Sequence, residues 1–330
     1  MDTGTHVVMG IALGSLATLD PTIGIHTPAA HSIMAAVLIG SQAPDIDTIL
    51  KLKNNAVYIR NHRGITHSIP AVLIWTLLIT GAVYLFSPGI DLLHLLMWTF
   101  IAVGLHVFVD IFNAYGTQAI RPFSKKWVAL GLINTFDPII FFLHIGGIVI
   151  WSLGVPPGYA FLAVYVILVV YYITRIVMKR TIVHNIKKRF DDIVDITIAP
   201  TIKFQKWHLA ITTKTNFFVG KAKNGKIMIL DEFERHPVPR TPLFKAAEKD
   251  HNISAFLSFS PVYRWEVDEF KDHYEVRFID LRYRSKEYYP FVAIVQLDAD
   301  LNIISSYTGW IFSEEKLRKK LHLFPDEVLR

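Results

Sequence analysis

The residues of this chain best suited to chemistry are His6, Asp45, Asp47, His62, Arg63, His67, His106, Asp110, Asn134 and Asp137, all set among mostly apolar neighbours. An ionisable group at membrane depth costs roughly 2.5–3.5 kcal/mol even on lenient insertion scales, so each of them asks for a reason to be there. His106 and Asp110 are four residues apart, which puts both on one face of a helix and within reach of one ion. In Asp45-Ile46-Asp47, after the helix-ending Pro44, two carboxylates can point at the same or adjacent ions. His62 and His67 flank Arg63-Gly64-Ile65-Thr66, where Gly64 can take a backbone turn closed to other residues. The chain has no cysteine, which excludes disulfides and thiolate ligands. Histidine and carboxylate together suit a divalent ion, with zinc, manganese and iron all fitting this donor set.

The metal candidates are therefore His6, Asp45, Asp47, His62, His67, His106, Asp110 and Asp137. The chemistry such a set supports is hydrolysis of a phosphoester or related lipid-headgroup bond. Asp45 or Asp47 is the candidate general base, Arg63 a planar fork for a phosphate oxygen, and Asn134 a group to orient water. The expected substrate is a membrane lipid or a phosphorylated small molecule. The rival reading is non-enzymatic: a membrane-anchored regulatory or docking protein with a structural or vestigial metal site, its tail a docking or regulatory module for a protein partner. His26, His31, His94 and His144, and in the tail His208, His236, His251 and His273, lack ligand-like spacing and read as structural or solvated.

The elements that must position these groups are greasy. Of the 330 residues 52 % are hydrophobic and only 19 % charged, against about 25 % charged in a soluble globular chain. Residues 1–190 hold 7 of the 28 acidic and 13 of the 34 basic side chains, so the first part is a basic, apolar material and the rest is electrically balanced. The basic residues sit in short connections around Lys51–Arg63, Arg121–Lys126 and Lys179–Arg189, which is a topology signal and gives no reason to expect nucleic acid. Ser68–Ser87 and Tyr159–Met178 are long enough to cross a bilayer; Leu92–Phe112 and Ile139–Leu153 are nearly as apolar, and Thr5–Leu19 and Ala29–Ala43 are shorter. Gly10 and Gly14 form a small-xxx-small face for close helix packing. The expectation is an all-α membrane bundle of about six spans over residues 1–180, a basic linker over 181–194, and one small, mostly antiparallel β domain over 195–330. Asn224-Gly225 is its strongest hairpin signal. Positive-inside bias places both termini and the polar cluster on the cytoplasmic side of a bacterial cell membrane.

Thr5-His6 with Gly10, Pro44-Asp45-Ile46-Asp47, His62-Arg63-Gly64-Ile65-Thr66-His67-Ser68 and His106-xxx-Asp110 together resemble the family of bacterial inner-membrane metal-dependent hydrolases that includes the YdjM and YfhP proteins, the YfhP type most closely. That resemblance covers about residues 1–180 and carries a distant similarity to zinc-dependent phospholipase C and the single-strand nucleases. It implies that His6, one of Asp45 and Asp47, one of His62 and His67, and His106 with Asp110 fall on metal-ligand positions. The soluble enzymes also use a further histidine pair and a glutamate. This chain has no glutamate before Glu232, and Asn134 and Asp137 are the residues left to take over part of that role.

Overall fold

The computed structural model describes residues 1–321. Each apolar run folds as a helix, and five of these helices start behind a local side-chain acceptor. Helix α1 (Thr3–Leu16) begins behind Asp2, which accepts from Thr5 N at 3.1 Å. Helix α2 (Pro28–Gly40) begins behind Thr27, with proline in the first turn where no N–H is missed. A 3-10 run covers Ala43–Leu52, followed by α3 (Asn55–Asn61) and a 3-10 turn at Ile65–His67. Then come α4 (Ile69–Leu85) capped by Ser68, α5 (Leu92–Ile111) capped by Asp91, α6 (Pro138–Ser152) capped by Asp137, and α7 (Pro157–Arg189).

Two glycines bring α1 and α2 into close approach. A Cβ on Gly10 would lie 2.5 Å from Ser41 Oγ, and one on Gly14 would lie 2.5 Å from Met34 Sδ. Gly40 does the same between α2 and α5, where a Cβ would sit 3.2 Å from that of Ala102. Small residues thus bring three helices that hold or support the polar cluster into direct backbone proximity.

The expected six spans are not supported. Among the described residues only α5 and α7 are long and apolar enough to cross a membrane; the number rises to four if two bent pairs each count as one, α2 with Ala43–Leu52 (42°) and Asn55–His67 with α4 (70°). Helices α1 and α6 have 14 and 15 residues, a rise of about 21–23 Å against a hydrocarbon core of about 30 Å. Counting apolar runs had counted segments, whereas spanning depends on length. The outer faces suit lipid: Leu77 and Leu78 on α4, Phe108 on α5, and Val166, Val169 and Ile173 on α7 are all more than half exposed. Arg175, the one charged residue within Tyr159–Met178 of α7, is buried and donates to carbonyls, Nε to Leu132 O at 2.7 Å and Nη1 to Phe204 O.

The chain forms two compact units. One holds Met1–Thr48, His62–Thr181 and Pro200–Phe204; the other holds Ile49–Asn61, Ile182–Ala199 and the chain from Gln205 on. The second unit carries two separate four-stranded sheets, where one small β domain was expected. Strands β1 (Ile193–Pro200), β2 (Lys206–Thr213), β3 (Asn216–Lys223) and β4 (Lys226–Glu234) lie in chain order. Asn224 at φ 51° and Gly225 at φ 76° make the β3–β4 turn, with Lys223 opposite Lys226. Helices α8 (Pro242–Lys249) and α9 (His251–Phe259) follow, then the antiparallel sheet of β5 (Tyr263–Glu269), β6 (His273–Asp280), β7 (Phe291–Asp298) and β8 (Ile303–Trp310), and finally α10 (Glu314–Lys320). The second sheet was obscured because β5 alternates Tyr263, Trp265 and Val267 with Arg264, Glu266 and Asp268, an edge strand with no continuous apolar run. Phe244, Phe256, Phe278 and Phe291 fill its core, and α3 belongs to it: Ile59 packs on that core and Asn55 Nδ2 donates to Thr308 O.

His208, opposite Lys221 on β3, is held neutral in the folded chain, its pKa lowered to about 4 by burial and by the charges of Lys221 and Arg284. A histidine whose folded pKa lies below its unfolded value near 6.5 contributes fully above that value, and the contribution is lost as pH falls toward 4. The full chain in detergent is expected to lose about 2–3 kcal/mol from this group between pH 6.5 and 4. His208→Gln should flatten that part of the profile in urea melts followed by far-UV circular dichroism. An unchanged slope in the variant would remove His208 as the cause.

Candidate metal centre

Four short pieces of chain converge on one buried spot in the first unit. The start of α1 brings His6, the 3-10 run after α2 brings Asp45 and Asp47, the turn before α4 brings His62, Arg63 and His67, and the last turns of α5 bring His106 and Asp110. The turn is sharp because Arg63 is left-handed at φ 61° and Gly64, at φ −90° and ψ −104°, lies outside the regions open to most side chains. The strain folds His62 and His67 to the same side as Asp47.

Four atoms set the centre: Asp45 Oδ1, His67 Nε2, His106 Nε2 and Asp110 Oδ2. His106 Nε2 is 3.3 Å from His67 Nε2, and 3.7 Å from both Asp45 Oδ1 and Asp110 Oδ2. His67 Nε2 is 3.6 Å from Asp45 Oδ1 and 3.4 Å from Asp110 Oδ2. Ligands at 2.0–2.2 Å around a tetrahedral zinc are separated by about 3.3–3.6 Å, so these edges match the size of such a shell. Asp45 Oδ1 and both Asp110 oxygens are buried without a hydrogen bond of good geometry, although Arg63 Nε lies 3.1 Å from Asp110 Oδ2. Buried carboxylate oxygens left in that state are costly, and a divalent cation among them removes the cost. The donor set therefore fits a metal ion.

The two histidines are turned toward the centre by their other nitrogens. His106 Nδ1 donates to Ser41 O at 2.7 Å, leaving Nε2 as the ligand atom. His67 Nδ1 donates to Thr66 Oγ1 at 3.0 Å, and that hydroxyl donates to Asp47 Oδ2 at 2.6 Å. Asp47 also accepts from Arg63 N at 2.9 Å and pairs with His62 Nδ1 at 2.6 Å. Asp45, Asp47 and His62 form a second ligand-competent group that shares Asp45 with the first.

His6 stacks on His106, ring centroids 3.7 Å apart, with its Nε2 3.4 Å from Asp110 Oδ1. The amino group of Met1 lies 3.0 Å from His6 Nε2 and pairs with Asp110, and Arg63 Nη2 donates to Met1 O at 2.9 Å. Two expected site residues are engaged in other bonds, and Asp137 belongs to neither ligand group. Asp137 caps α6 and accepts from the Tyr171 hydroxyl at 2.7 Å, and Asn134 Nδ2 donates to Pro200 O at 3.1 Å. Thr66 and the Ser41 carbonyl were missed by sequence reasoning. Thr66 had a signal, a hydroxyl between two candidate ligands; a backbone carbonyl has none.

Comparison with known proteins follows this division of the chain. Residues 1–182 match the family described as YdjM inner membrane protein, residues 191–233 the YfhP middle domain, and residues 242–321 the YfhP C-terminal alpha/beta plait domain. A Bacillus subtilis (strain 168) protein called "Uncharacterized protein YfhP" is 66 % identical over 324 residues, covering 98 % of this chain and 99 % of that relative. No solved structure matches. With its cluster of buried histidines and aspartates carried on apolar helices and the two further domains in the same order, the chain belongs to the YdjM family of inner membrane proteins, with the domain composition of the YfhP type.

Proposed function

We propose that the chain is a membrane-bound, metal-dependent hydrolase acting on a phosphoester, in a membrane lipid or a phosphorylated small molecule, at the cytoplasmic face. The observation that carries this reading is the shell of two imidazole nitrogens and two carboxylate oxygens at zinc-like separations, with Asp45 Oδ1 lacking a hydrogen bond and Asp110 paired with Arg63 and the Met1 amino group. It rests on that donor set, not on kinship with the soluble zinc enzymes. A divalent ion held by His67, His106 and Asp110, with Asp45 beside it, would keep one position for a water and lower that water's pKa from 15.7 to about 7. Zinc is the proposed ion because the donors and spacing suit tetrahedral coordination.

The protein's own groups divide the remaining work. Asp45 is the most open of the three carboxylates, its side chain 12 % exposed against 4 % for Asp47 and 0 % for Asp110, so it is the one placed to take the proton of an attacking water. Asp47, saturated by His62, Arg63 N and Thr66, positions its neighbours. Arg63 sets a fixed positive charge beside Asp110, on the side where a phosphoryl oxygen would carry negative charge. Hydrolysis then breaks the P–O bond, leaving an alcohol and a phosphate.

Purified protein is expected to hold at least one transition ion per chain, and His106→Ala and Asp110→Ala should lose it together with phosphoester hydrolysis while helicity is retained. Wild-type protein without metal would sink the hydrolase reading, and metal without hydrolysis of any phosphoester would favour the structural-site rival. Thr66→Val cuts the link between His67 and Asp47 and should weaken metal affinity 10–100-fold, as loss of an outer hydrogen bond typically does; an unchanged affinity would show that the relay does not orient His67. The orientation is tested with single cysteines. Those at Asn61 and Lys125 should react with a membrane-impermeant reagent only after cells are opened, and those at Pro88 and Ser152 in intact cells. The reverse pattern would place the centre outside.

A further inference from the structure

We propose that the substrate is a membrane lipid, one hydrocarbon chain of which lies in a slot between α5, α6 and α7. This rests on the hydrolase reading and adds the class of molecule on which it acts. The slot is a cavity of about 310 Å³ within the first unit, with Leu105 and Val109 on one wall and Ile140, Leu168 and Tyr172 on the others. Its lining is apolar almost throughout, so water inside would lack the two to four polar partners it needs. At roughly 30 Å³ for each water-sized or methylene-sized unit the space takes about ten such units, one chain and not two.

Two features tie this space to the centre and to the bilayer. Leu105 and Val109 immediately precede His106 and Asp110, so the slot runs along the turns of α5 that present the ligands. Its rim carries Phe108, Val169 and Ile173, which are more than half exposed on the outer faces of α5 and α7, the helices long enough to cross a membrane. The surroundings of the opening are thus hydrocarbon, and a chain can enter sideways without leaving the bilayer. Inside, His144 lines the slot and is 1 % exposed; its Nδ1 donates to Ile140 O at 2.7 Å, and its buried Nε2 has no hydrogen-bond partner among the described residues.

The test uses the full chain reconstituted in vesicles of phosphatidylethanolamine and phosphatidylglycerol, with a trace of phosphatidylglycerol carrying a diazirine midway along one acyl chain. After photolysis, adducts mapped by mass spectrometry should be at least fivefold enriched on Leu105, Ile140, Leu168 and Tyr172 over Leu77 and Leu78 of α4. Leu168→Trp, which fills the slot, should lower that enrichment at least fivefold with metal content unchanged. If Leu168→Trp does not fold, Ile173→Trp at the rim makes the same test. Adducts spread evenly over α4, α5 and α7, or enrichment untouched by both fillings, would overturn the slot. Assays with p-nitrophenyl phosphate and with the vesicle lipid separate the two claims. Hydrolysis of the soluble ester with even adducts removes the slot alone, whereas slot labelling without hydrolysis of either ester removes the hydrolase and leaves a lipid site.

Discussion

The fully buried Asp110 and the half-buried Asp45, set beside three buried histidines with carboxylate oxygens that no hydrogen bond of good geometry satisfies, are the constraint around which the first unit is organised. A carboxylate in such a place is affordable only with a cation close by. Arg63 supplies part of that charge, and the separations of the surrounding nitrogen and oxygen atoms define the space for the rest. The small residues that let α1, α2 and α5 approach, the left-handed Arg63 and the 3-10 run after α2 all bring ligands to this one spot.

The order of rigidity follows from the same constraint. His106 is fixed by a backbone carbonyl, the stiffest partner available, and His67 by a hydroxyl that is itself held by a carboxylate. Both imidazoles therefore present a defined nitrogen before any ion arrives, which is what a preorganised site requires. Asp45, by contrast, belongs to both ligand groups and is the most exposed of the carboxylates, which leaves it the freest to exchange between holding an ion and holding a proton.

Much of this site was legible in the sequence because its ligands come from short local motifs. The i, i+4 spacing of His106 and Asp110, the Asp45-Ile46-Asp47 string and the two histidines around Arg63-Gly64 each carry a geometric meaning without the rest of the chain. Asp137 and Asn134 carried no such spacing; Asp137 caps α6 and Asn134 donates to the carbonyl at the end of β1. For the fold, apolar runs marked helices, but a run of 14 or 15 residues does not state how deep it reaches, and so the number of spans was overestimated. In the second unit the Asn224-Gly225 turn was readable from two residues, whereas the division into two sheets depends on tertiary pairing of β5, whose charged alternation resembles a loop.

The stretch Ile49–Asn61 has a consequence for how this chain can be cut. Drawn as beads on a string, the protein would part cleanly after α7; in fact its path leaves the first unit between Asp47 and His62, contributes Ile59 and Asn55 to the core and sheet of the second, and returns. The ligands on either side of this excursion are thus joined by a segment whose folding partner is made hundreds of residues later in the chain. A ribosome that has finished the helices has not finished the loop that connects Asp47 to His62. A fragment ending near residue 181 would carry every candidate ligand yet leave α3 without the surface that gives it a reason to be a helix.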